Sequence, residues 1–235
     1  MSVIAESEAV PELAALGIRA FTTTRASGSF GLMTGEPVRD VTARWAALRR
    51  DLRPGGARLA TATQCHGTNV LVHRGAWHGW LRADDADGHV APERGLALAV
   101  TVADCVPVFI AHPSGAIALL HCGWRGTAAG IVARGIATLS KLGLPADELS
   151  LHTGPAICGK CYEVSGDVYA QLTGTDPGGA RTIDLRALIA DQARAVGVRH
   201  ITTSPSCTRC DNDRFFSHRA GDAGRQLGVM IADST

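Results

Sequence analysis

The stretch from residue 119 to residue 130, LLHCGWRGTAAG, places two metal-binding side chains beside a fixed positive charge. His121 and Cys122 end an apolar run, and Arg125 follows between two glycines. Imidazole and thiolate bind transition metals, and a guanidinium binds phosphate or carboxylate through paired hydrogen bonds. The pattern indicates a metal next to an anionic substrate. Cys122 should point away from it, because strand neighbours face opposite sides.

Two further residues complete a possible metal site with His121. His66 lies in QCHGTN and Cys105 in ADCVP, each in a turn or glycine-containing segment. Two imidazoles and one thiolate leave the fourth tetrahedral position open, which is typical of catalytic zinc; such zinc lowers the pKa of a water to about 7. The spacing alone also fits a buried Cys105 and two hydrogen-bonded histidines without a metal.

Four of the seven cysteines form two CxxC pairs, CGKC at 158–161 and CTRC at 207–210. Such pairs can build a structural zinc site, although this separation exceeds that of an ordinary zinc ribbon. Free cysteines are the interpretation we favour at this point, and a second zinc or a redox dithiol stays open.

The arginines are a third group of candidates. Guanidinium groups suit bidentate recognition of phosphate, but each of these fits a surface salt bridge equally well, except Arg125 beside His121. Nearby aromatic residues could stack on a base or belong to the core. The group comprises Arg25, Arg125, Arg219 and Arg225, with Trp124, Phe215 and Phe216 as the aromatic residues.

Strands and helices must hold these side chains in place, and the hydrophobic pattern predicts both. Strands are expected at 17–24, 106–112, 115–121, at LSLHTG, HITTS and QLGVMIA, and over 96–112 on either side of a turn near Asp104. Helices are expected at 41–52, 126–143, 163–172 and 184–196, the last capped by Asp184.

The fold class that follows is a mixed α/β protein, a layered sandwich. Continuously apolar strands suit a sheet covered on both faces. The neighbouring strands 106–112 and 115–121 read as a hairpin, which indicates a mixed sheet flanked by helices. Without repeats or long linkers, we expect one domain over 1–235.

Composition excludes several classes of protein. The 23 basic and 22 acidic residues give a net charge of +1, which argues against a nucleic-acid binder. No apolar run reaches the about 18 residues of a membrane span, and the first 25 residues lack the pattern of a signal peptide. We therefore expect a cytoplasmic protein, a monomer or weak homodimer.

The motifs together resemble one family. QCHGTNV, VADCVPVFI, HCGWRGTAAGI, GPAICGKCYEV and FFSHRAGDAGRQLGVMI follow one another in the order of the YfiH-like, laccase-domain family. Its members are described both as multicopper polyphenol oxidases and as purine nucleoside phosphorylases. The resemblance begins near residue 17, so residues 1–16 are expected to be an N-terminal extension.

The resemblance implies a layered α/β fold with zinc held by His66, Cys105 and His121. It implies phosphorolysis of adenosine, inosine, guanosine and S-methyl-5'-thioadenosine, with adenosine deamination as a side activity. Arg25 and Arg125 fall in matching motifs and are expected to contact phosphate or ribose.

Other segments match with less defined roles. Cys207, His218 and Arg219 lie in such segments, the last two as expected substrate contacts. Glu163 and Asp104 are candidates for proton transfer. The chain departs from the family near its start, where Ala43 precedes Arg44 in place of the usual asparagine. If that asparagine positions substrate, activity is altered or lost.

Three alternatives remain at this point. A copper phenol oxidase would need His-X-His pairs, and none occurs among the nine histidines, so zinc is favoured over copper. A cysteine-dependent hydrolase or amidase acting on peptidoglycan precursors would use Cys105 as nucleophile and His121 as base. A non-catalytic, metal-stabilised binding module is the third.

Overall fold

The computed structural model describes residue 4 and residues 6–53, 55–75 and 77–233. Within those residues the chain forms strands β1 to β14 and helices α1 to α5. The strands are β1 (Glu8–Ala9), β2 (Ile18–Thr22), β3 (Arg58–Ala62), β4 (Val70–Val72), β5 (Trp80–Ala83), β6 (Gly88–Ala91), β7 (Leu96–Val102), β8 (Val106–Ala111), β9 (Ile117–Cys122), β10 (Ser150–Thr153), β11 (Glu163–Val164), β12 (Arg181–Thr182), β13 (His200–Thr203) and β14 (Gln226–Ala232). The helices are α1 (Val38–Leu52), α2 (Trp124–Ala128), α3 (Ile131–Ser140), α4 (Gly166–Thr173) and α5 (Leu185–Ala195).

Two mixed sheets form the centre of the described chain. The first has the strand order β1-β2-β14-β7-β3-β5, and the second has the order β13-β10-β8-β9-β6-β4. Each contains parallel and antiparallel pairs, such as parallel β3–β7 beside antiparallel β14–β7. The β8–β9 hairpin pairs Pro107 with His121, which confirms the predicted hairpin. The mixed α/β class is confirmed.

The sheets pack face to face, and helices cover their outer faces. Leu98 and Leu119 pack between the sheets. Helix α1 covers the first sheet with Trp45 and Leu48, and helices α3 and α5 cover the second. The sequence predicted one central sheet, because a continuously apolar strand shows that both faces are covered but not by what. The second covering layer is another sheet.

Side-chain alternation along β9 determines the direction of its last two residues. Leu119 belongs to the core between the sheets, whereas Leu120 belongs to the core under the helices. His121 therefore faces the space between the sheets, and Cys122 packs in the helix-side core. The predicted opposite orientation of these two residues is confirmed.

Two of the four predicted helices are confirmed, one begins later than predicted and one is wrong. The helix expected at 163–172 begins at Gly166 as α4, and residues 163 and 164 form β11 instead. In α1 the buried residues include Val41 and Trp45, and Asp184 caps α5 by accepting the amides of residues 186 and 187, as predicted. The single helix expected at 126–143 is wrong. The chain forms α2 and α3 instead, separated at Gly130, whose left-handed φ of 81° interrupts the helix. None of the helices described here has the length and apolar character needed to cross a membrane.

Candidate functional site

Three chain segments bring His66, Cys105 and His121 together. His66 lies in the loop after β3, Cys105 lies where the chain crosses from β7 to β8, and His121 is the penultimate residue of β9. Their ligand atoms all lie within 4.8 Å of one another. The Cys105 Sγ is 3.8 Å from Nε2 of His66, and the two imidazole rings stand almost perpendicular at 78°. The residues predicted from sequence thus form one cluster.

The crossing at Cys105 explains why these residues meet. Strands β7 and β8 belong to different sheets, so the short connection between them spans the gap of the sandwich at one end. Strand β9 ends beside β8 in the second sheet, and the loop after β3 leaves the first sheet next to β7. The cluster therefore lies at the end of the sandwich, between the sheets.

Two residues of the cluster region adopt a left-handed backbone. His66 has φ of 60° and Asp104, immediately before Cys105, has φ of 81°. Such values are uncommon for residues other than glycine and persist where surrounding contacts impose them. Asp104 is held at both carboxylate oxygens, by the Thr208 hydroxyl at 2.6 Å and the Arg219 amide at 2.7 Å.

Asp87 is the buried carboxylate that organises the cluster. Its Oδ1 lies 2.7 Å from Nδ1 of His121 and also accepts the His66 amide at 3.0 Å. Its Oδ2 accepts the amides of Cys65 and Gly67. Because a carboxylate only accepts, Nδ1 of His121 carries the proton and Nε2 is left to face the cluster. One side chain thus orients two of the three ligands.

Hydrogen bonding controls the charge of Asp87. Burial alone raises its pKa, but the hydrogen bonds from His121, Cys65 and Gly67 outweigh burial and hold the pKa well below the usual value. The carboxylate is therefore ionised at neutral pH.

The thiol of Cys105 and the ring of His121 shift each other's ionisation. Burial raises the pKa of Cys105, but the charge and hydrogen bond of His121, with those of His66, lower it to about 6. Burial lowers the pKa of His121, but Cys105 and Asp87 raise it to about 9. Without a metal the two form a thiolate–imidazolium pair. A metal ion must then displace the proton of His121 to bind.

The donor set fits a zinc ion. A tetrahedral zinc ion with bonds of about 2.0 to 2.3 Å holds nitrogen and sulfur donors about 3.3 to 3.8 Å apart. The 3.8 Å between Sγ of Cys105 and Nε2 of His66 falls in this range, and all three ligand atoms lie within 4.8 Å of one another. The carboxylate behind His121 is the outer partner that zinc-binding histidines usually have. Gly123 leaves room for the cluster, because a Cβ there would lie 2.7 Å from Cδ2 of His66 and 3.2 Å from Sγ of Cys105.

A cavity of about 440 Å³ with basic side chains opens on one side of the cluster, and we refer to it as the basic cavity. Arg125, His218 and Arg219 line it together with Tyr162. The Arg125 guanidinium lies over the Trp124 ring at 4.4 Å, and it forms no ion pair with an acidic side chain among the described residues. Burial, with the Cys105 charge, raises the pKa of Tyr162 to about 12, so its hydroxyl stays a donor. The basic cavity suits an anion.

A second cavity of about 440 Å³ lies on the other side of the cluster, and we refer to it as the aromatic cavity. Phe30, Leu32 and Trp80 line it, and His66, Cys105 and His218 line both cavities. Arg82 and Arg225 also contribute to its wall. Its size and mixture of flat apolar and polar groups are typical of a small-molecule site.

The segment that departs from the family motif forms one wall of the aromatic cavity. Residues 30–34 line the cavity, and Arg44 of α1 holds the adjoining chain by bonding the carbonyl of Ser29 and the carboxylate of Glu36. Ala43, at the position where the resemblance led us to expect asparagine, is exposed on α1 and does not line either cavity.

Arg25 lies in a different environment from Arg125. Its guanidinium forms an ion pair with Asp222 at 2.6 Å and donates to the carbonyls of Asn212 and Phe215. It also lies over the Phe216 ring and lines neither cavity. These contacts stabilise the loop after β13, and direct substrate contact by Arg25 stays a prediction.

The two candidates for proton transfer, Asp104 and Glu163, lie in different surroundings. Asp104 lines the basic cavity, but both of its oxygens already accept hydrogen bonds. Glu163 is exposed on β11 and lines neither cavity, and its carbonyl accepts a bond from Arg219 at 2.9 Å.

Sequence reasoning missed Asp87 and Tyr162. Asp87 lies directly before β6 in an acidic turn, DDADG, whose sequence is typical of an ordinary surface loop. Tyr162 directly follows the CGKC pair and attracted no separate attention. A buried aspartate just before an apolar strand is the signal that could have identified the first; nothing local identifies the second.

Residues 19–233 match the family model described as multi-copper polyphenol oxidoreductase laccase. A purine nucleoside phosphorylase of Streptomyces coelicolor is 35% identical over 213 residues, covering 87% of this chain and 88% of that protein. A purine nucleoside phosphorylase of Mycobacterium tuberculosis is 36% identical, covering 91% of each. The resemblance seen in the motifs is thereby confirmed.

Solved structures show the same fold. YlmD from Geobacillus stearothermophilus superposes with a TM-score of 0.83 at 27% identity, covering 96% of this chain and 94% of that one. A hypothetical protein YfiH from Bacillus licheniformis gives a TM-score of 0.85 at 23% identity, covering 96% of each chain.

Proposed function

The chain belongs to the family described as multi-copper polyphenol oxidoreductase laccase, and we propose that it is a zinc-dependent purine nucleoside phosphorylase. Its substrates would be adenosine, inosine, guanosine and S-methyl-5'-thioadenosine, with adenosine deamination as a side activity. Relatives named purine nucleoside phosphorylase support the reaction class. The observation that carries the proposal is that two of the clustered residues, His66 and Cys105, line both the aromatic and the basic cavity, and the third, His121, lines the aromatic cavity.

The two cavities match the two halves of the reaction. Phosphorolysis breaks the bond between C1' of ribose and the purine nitrogen, forms a bond between C1' and a phosphate oxygen, and returns a proton to the purine. Arg125 and Arg219 can bind the phosphate in the basic cavity. Trp80 and Leu32 can contact the planar base in the aromatic cavity. The ribose then lies beside the cluster.

Broad substrate range follows from this arrangement. Aromatic walls contact the face of a purine and discriminate little among ring substituents. The proposed substrates differ at the purine edge and at the 5' position but share the ring face and the C1'–N bond. His218 lines both cavities and can donate a proton to the departing base.

His66, Cys105 and His121 would hold the zinc. When bound, zinc supplies a Lewis acid that polarises an oxygen or lowers the pKa of a water, which serves either reaction. Asp87 keeps His121 in the tautomer that presents Nε2 to the ion. The donor set also favours zinc over a copper oxidase centre, since the described chain gathers just this cluster and one four-cysteine group.

One observation favours a second function, a cysteine-dependent hydrolase or amidase. Asp87, His121 and Cys105 follow one another as carboxylate, imidazole and thiol in a nucleophilic triad would. A thiolate bound to zinc is not a free nucleophile, so the metal content of active protein distinguishes the two.

A product assay on zinc-quantified protein tests the proposal. Adenosine is incubated with and without phosphate, and adenine, inosine and hypoxanthine are separated by chromatography. We expect phosphate-dependent adenine, absent in His121→Ala and retained in the matched control His200→Ala, whose histidine is exposed on β13. Inosine without phosphate would report the deaminase activity. No adenine from zinc-loaded protein at any phosphate concentration would contradict the proposal.

A further inference from the structure

The second group of ligands lies outside both cavities. The four-cysteine cluster consists of Cys158, Cys161, Cys207 and Cys210, and its Sγ atoms all lie within 4.8 Å of one another. The Sγ atoms of Cys161 and Cys210 are 3.5 Å apart. All four are free thiols, and their exposure ranges from buried Cys207 to exposed Cys210.

The sheet topology brings these distant pairs together. Strands β10 and β13 pair in parallel, so the chain leaves both at the same edge of the second sheet. An isolated parallel bridge between Ala156 and Cys207 continues this pairing beyond the strands. The two CxxC turns therefore start side by side, although 45 residues separate Cys161 from Cys207 in the sequence, a spacing that favoured free cysteines over a shared site.

Backbone amides point at the sulfur atoms. The amides of Cys158 and Cys210 both donate to Sγ of Cys207, at 3.2 and 3.4 Å. Each pair also forms a turn, with Cys158 O accepting from Cys161 at 2.9 Å and Cys207 O accepting from Asp211 at 2.9 Å. Amide donors stabilise a thiolate, the form in which cysteine binds a metal.

We propose that the four-cysteine cluster binds one structural zinc ion. Four thiolates around zinc, with bonds of about 2.3 Å, lie about 3.8 Å apart, which agrees with the compact cluster. A complete set of four protein ligands leaves no open position, which is typical of a structural site rather than a catalytic one. The ion would cross-link two segments that are far apart in sequence.

This cross-link would hold in place two segments that help to form the basic cavity. The segment after Cys161 carries Tyr162 into the cavity, and the Arg219 guanidinium lies 5.1 Å from the Tyr162 ring. The segment after Cys207 carries Thr208, whose hydroxyl bonds Asp104 beside the metal ligand Cys105. The zinc ion would thus fix both walls without contacting substrate.

Metal analysis of full-length protein purified under reducing conditions tests the proposal. His121→Ala removes a ligand of the other cluster, so its remaining zinc reports the four-cysteine cluster alone. We expect about one zinc per chain in His121→Ala, with an X-ray absorption spectrum showing sulfur ligands at about 2.3 Å. Absence of zinc from folded His121→Ala would overturn the proposal. So would nitrogen or oxygen ligands, or iron in place of zinc.

The reverse variant provides the second test. Cys161→Ser/Cys210→Ser is expected to lose one zinc relative to wild type, and cobalt-substituted protein should lose the charge-transfer intensity of a four-sulfur site. If this variant does not fold, removal of the metal from His121→Ala with a chelator replaces it, and a lower melting temperature is expected. An unchanged zinc content, or an unchanged melting temperature after metal removal, would overturn the proposal. Absence of nucleoside activity would leave these readouts unaffected.

Discussion

Oδ1 of Asp87 lies 2.7 Å from Nδ1 of His121, with both side chains buried at the end of the sandwich. The same carboxylate accepts the amides around His66, so one aspartate sets the orientation of two candidate ligands, one in the loop after β3 and one in β9. Asp87 directly precedes β6 and His121 lies in β9, and the antiparallel pairing of these two strands brings their side chains together.

Asp87→Asn is expected to weaken zinc binding by about 10- to 100-fold, the usual effect of losing a partner behind a zinc ligand. In one orientation the NH2 group of Asn would face the backbone N–H donors. In the other orientation it would face Nδ1–H of His121, and the hydrogen bond to His121 would be lost. Zinc competition titration against a chromophoric chelator measures the change. Asp85→Asn is the matched control, because Asp85 is exposed and Asn tolerates its left-handed backbone. Equal affinities in both variants would contradict this role.

Gly123→Ala is expected to reduce zinc affinity by about tenfold or more while the protein stays folded. The added Cβ would lie 2.7 Å from the His66 ring and 3.2 Å from the Cys105 sulfur, so the ligands must move. Gly179→Ala is the control, since a Cβ there meets nothing within 4 Å. Zinc titration with circular dichroism of both variants tests this, and wild-type affinity in Gly123→Ala would refute the geometry.

Arg125→Ala is expected to raise the KM for phosphate by about 10- to 100-fold, the effect of one lost charge-assisted hydrogen bond. The KM for adenosine should change little, because the base is placed in the other cavity. Initial rates at varied phosphate separate the two constants. Arg134→Ala, exposed on α3 and outside both cavities, is the control. An increase confined to the adenosine KM would contradict the assignment of the basic cavity.

The buried His73–His89 pair predicts loss of stability in mild acid. Nε2 of His73 lies 2.9 Å from Nδ1 of His89, and burial, with the His73 charge, lowers the pKa of His89 to about 3. The unfolded chain, with a pKa near 6.5, therefore binds more protons between pH 6.5 and 3. As the pH is lowered through that window, the free energy of unfolding should decrease, by at most about 1.4 kcal/mol per pH unit for each histidine.

Urea unfolding from pH 7 to pH 4 tests this, with His73→Gln/His89→Gln as the comparison. The double variant should show a flatter profile. His121 has the opposite effect in metal-free protein, since its raised pKa gives stability that is lost as the pH rises towards 9. This contribution is present in both wild type and the double variant. Parallel profiles would show that the pair does not carry the acid sensitivity.

His66, Cys105 and His121 could be named as candidate metal ligands from the sequence because each lies at the end of a strongly apolar strand or in a turn. His121 and Cys105 were placed together correctly because the β8–β9 hairpin is local in sequence. The helix predicted at 126–143 is interrupted at one residue, Gly130. The hydrophobic periodicity continues across this residue and gives no information about its backbone φ angle.

The remaining features depend on contacts between distant segments. Asp87 and His121 meet across 34 residues, and the two CxxC pairs meet through parallel pairing of β10 and β13. The second sheet could not be predicted either, because a strand buried by a sheet and one buried by a helix have the same apolar sequence.

The most direct test of the central claim is zinc reconstitution of metal-depleted protein. Adenine release from adenosine is followed in phosphate as zinc is added, in wild type and in His121→Ala. We predict no phosphorolysis without metal, recovery that saturates as zinc fills the sites, and no recovery in His121→Ala. Full phosphorolysis by metal-free wild-type protein would contradict a zinc-dependent reaction at this site.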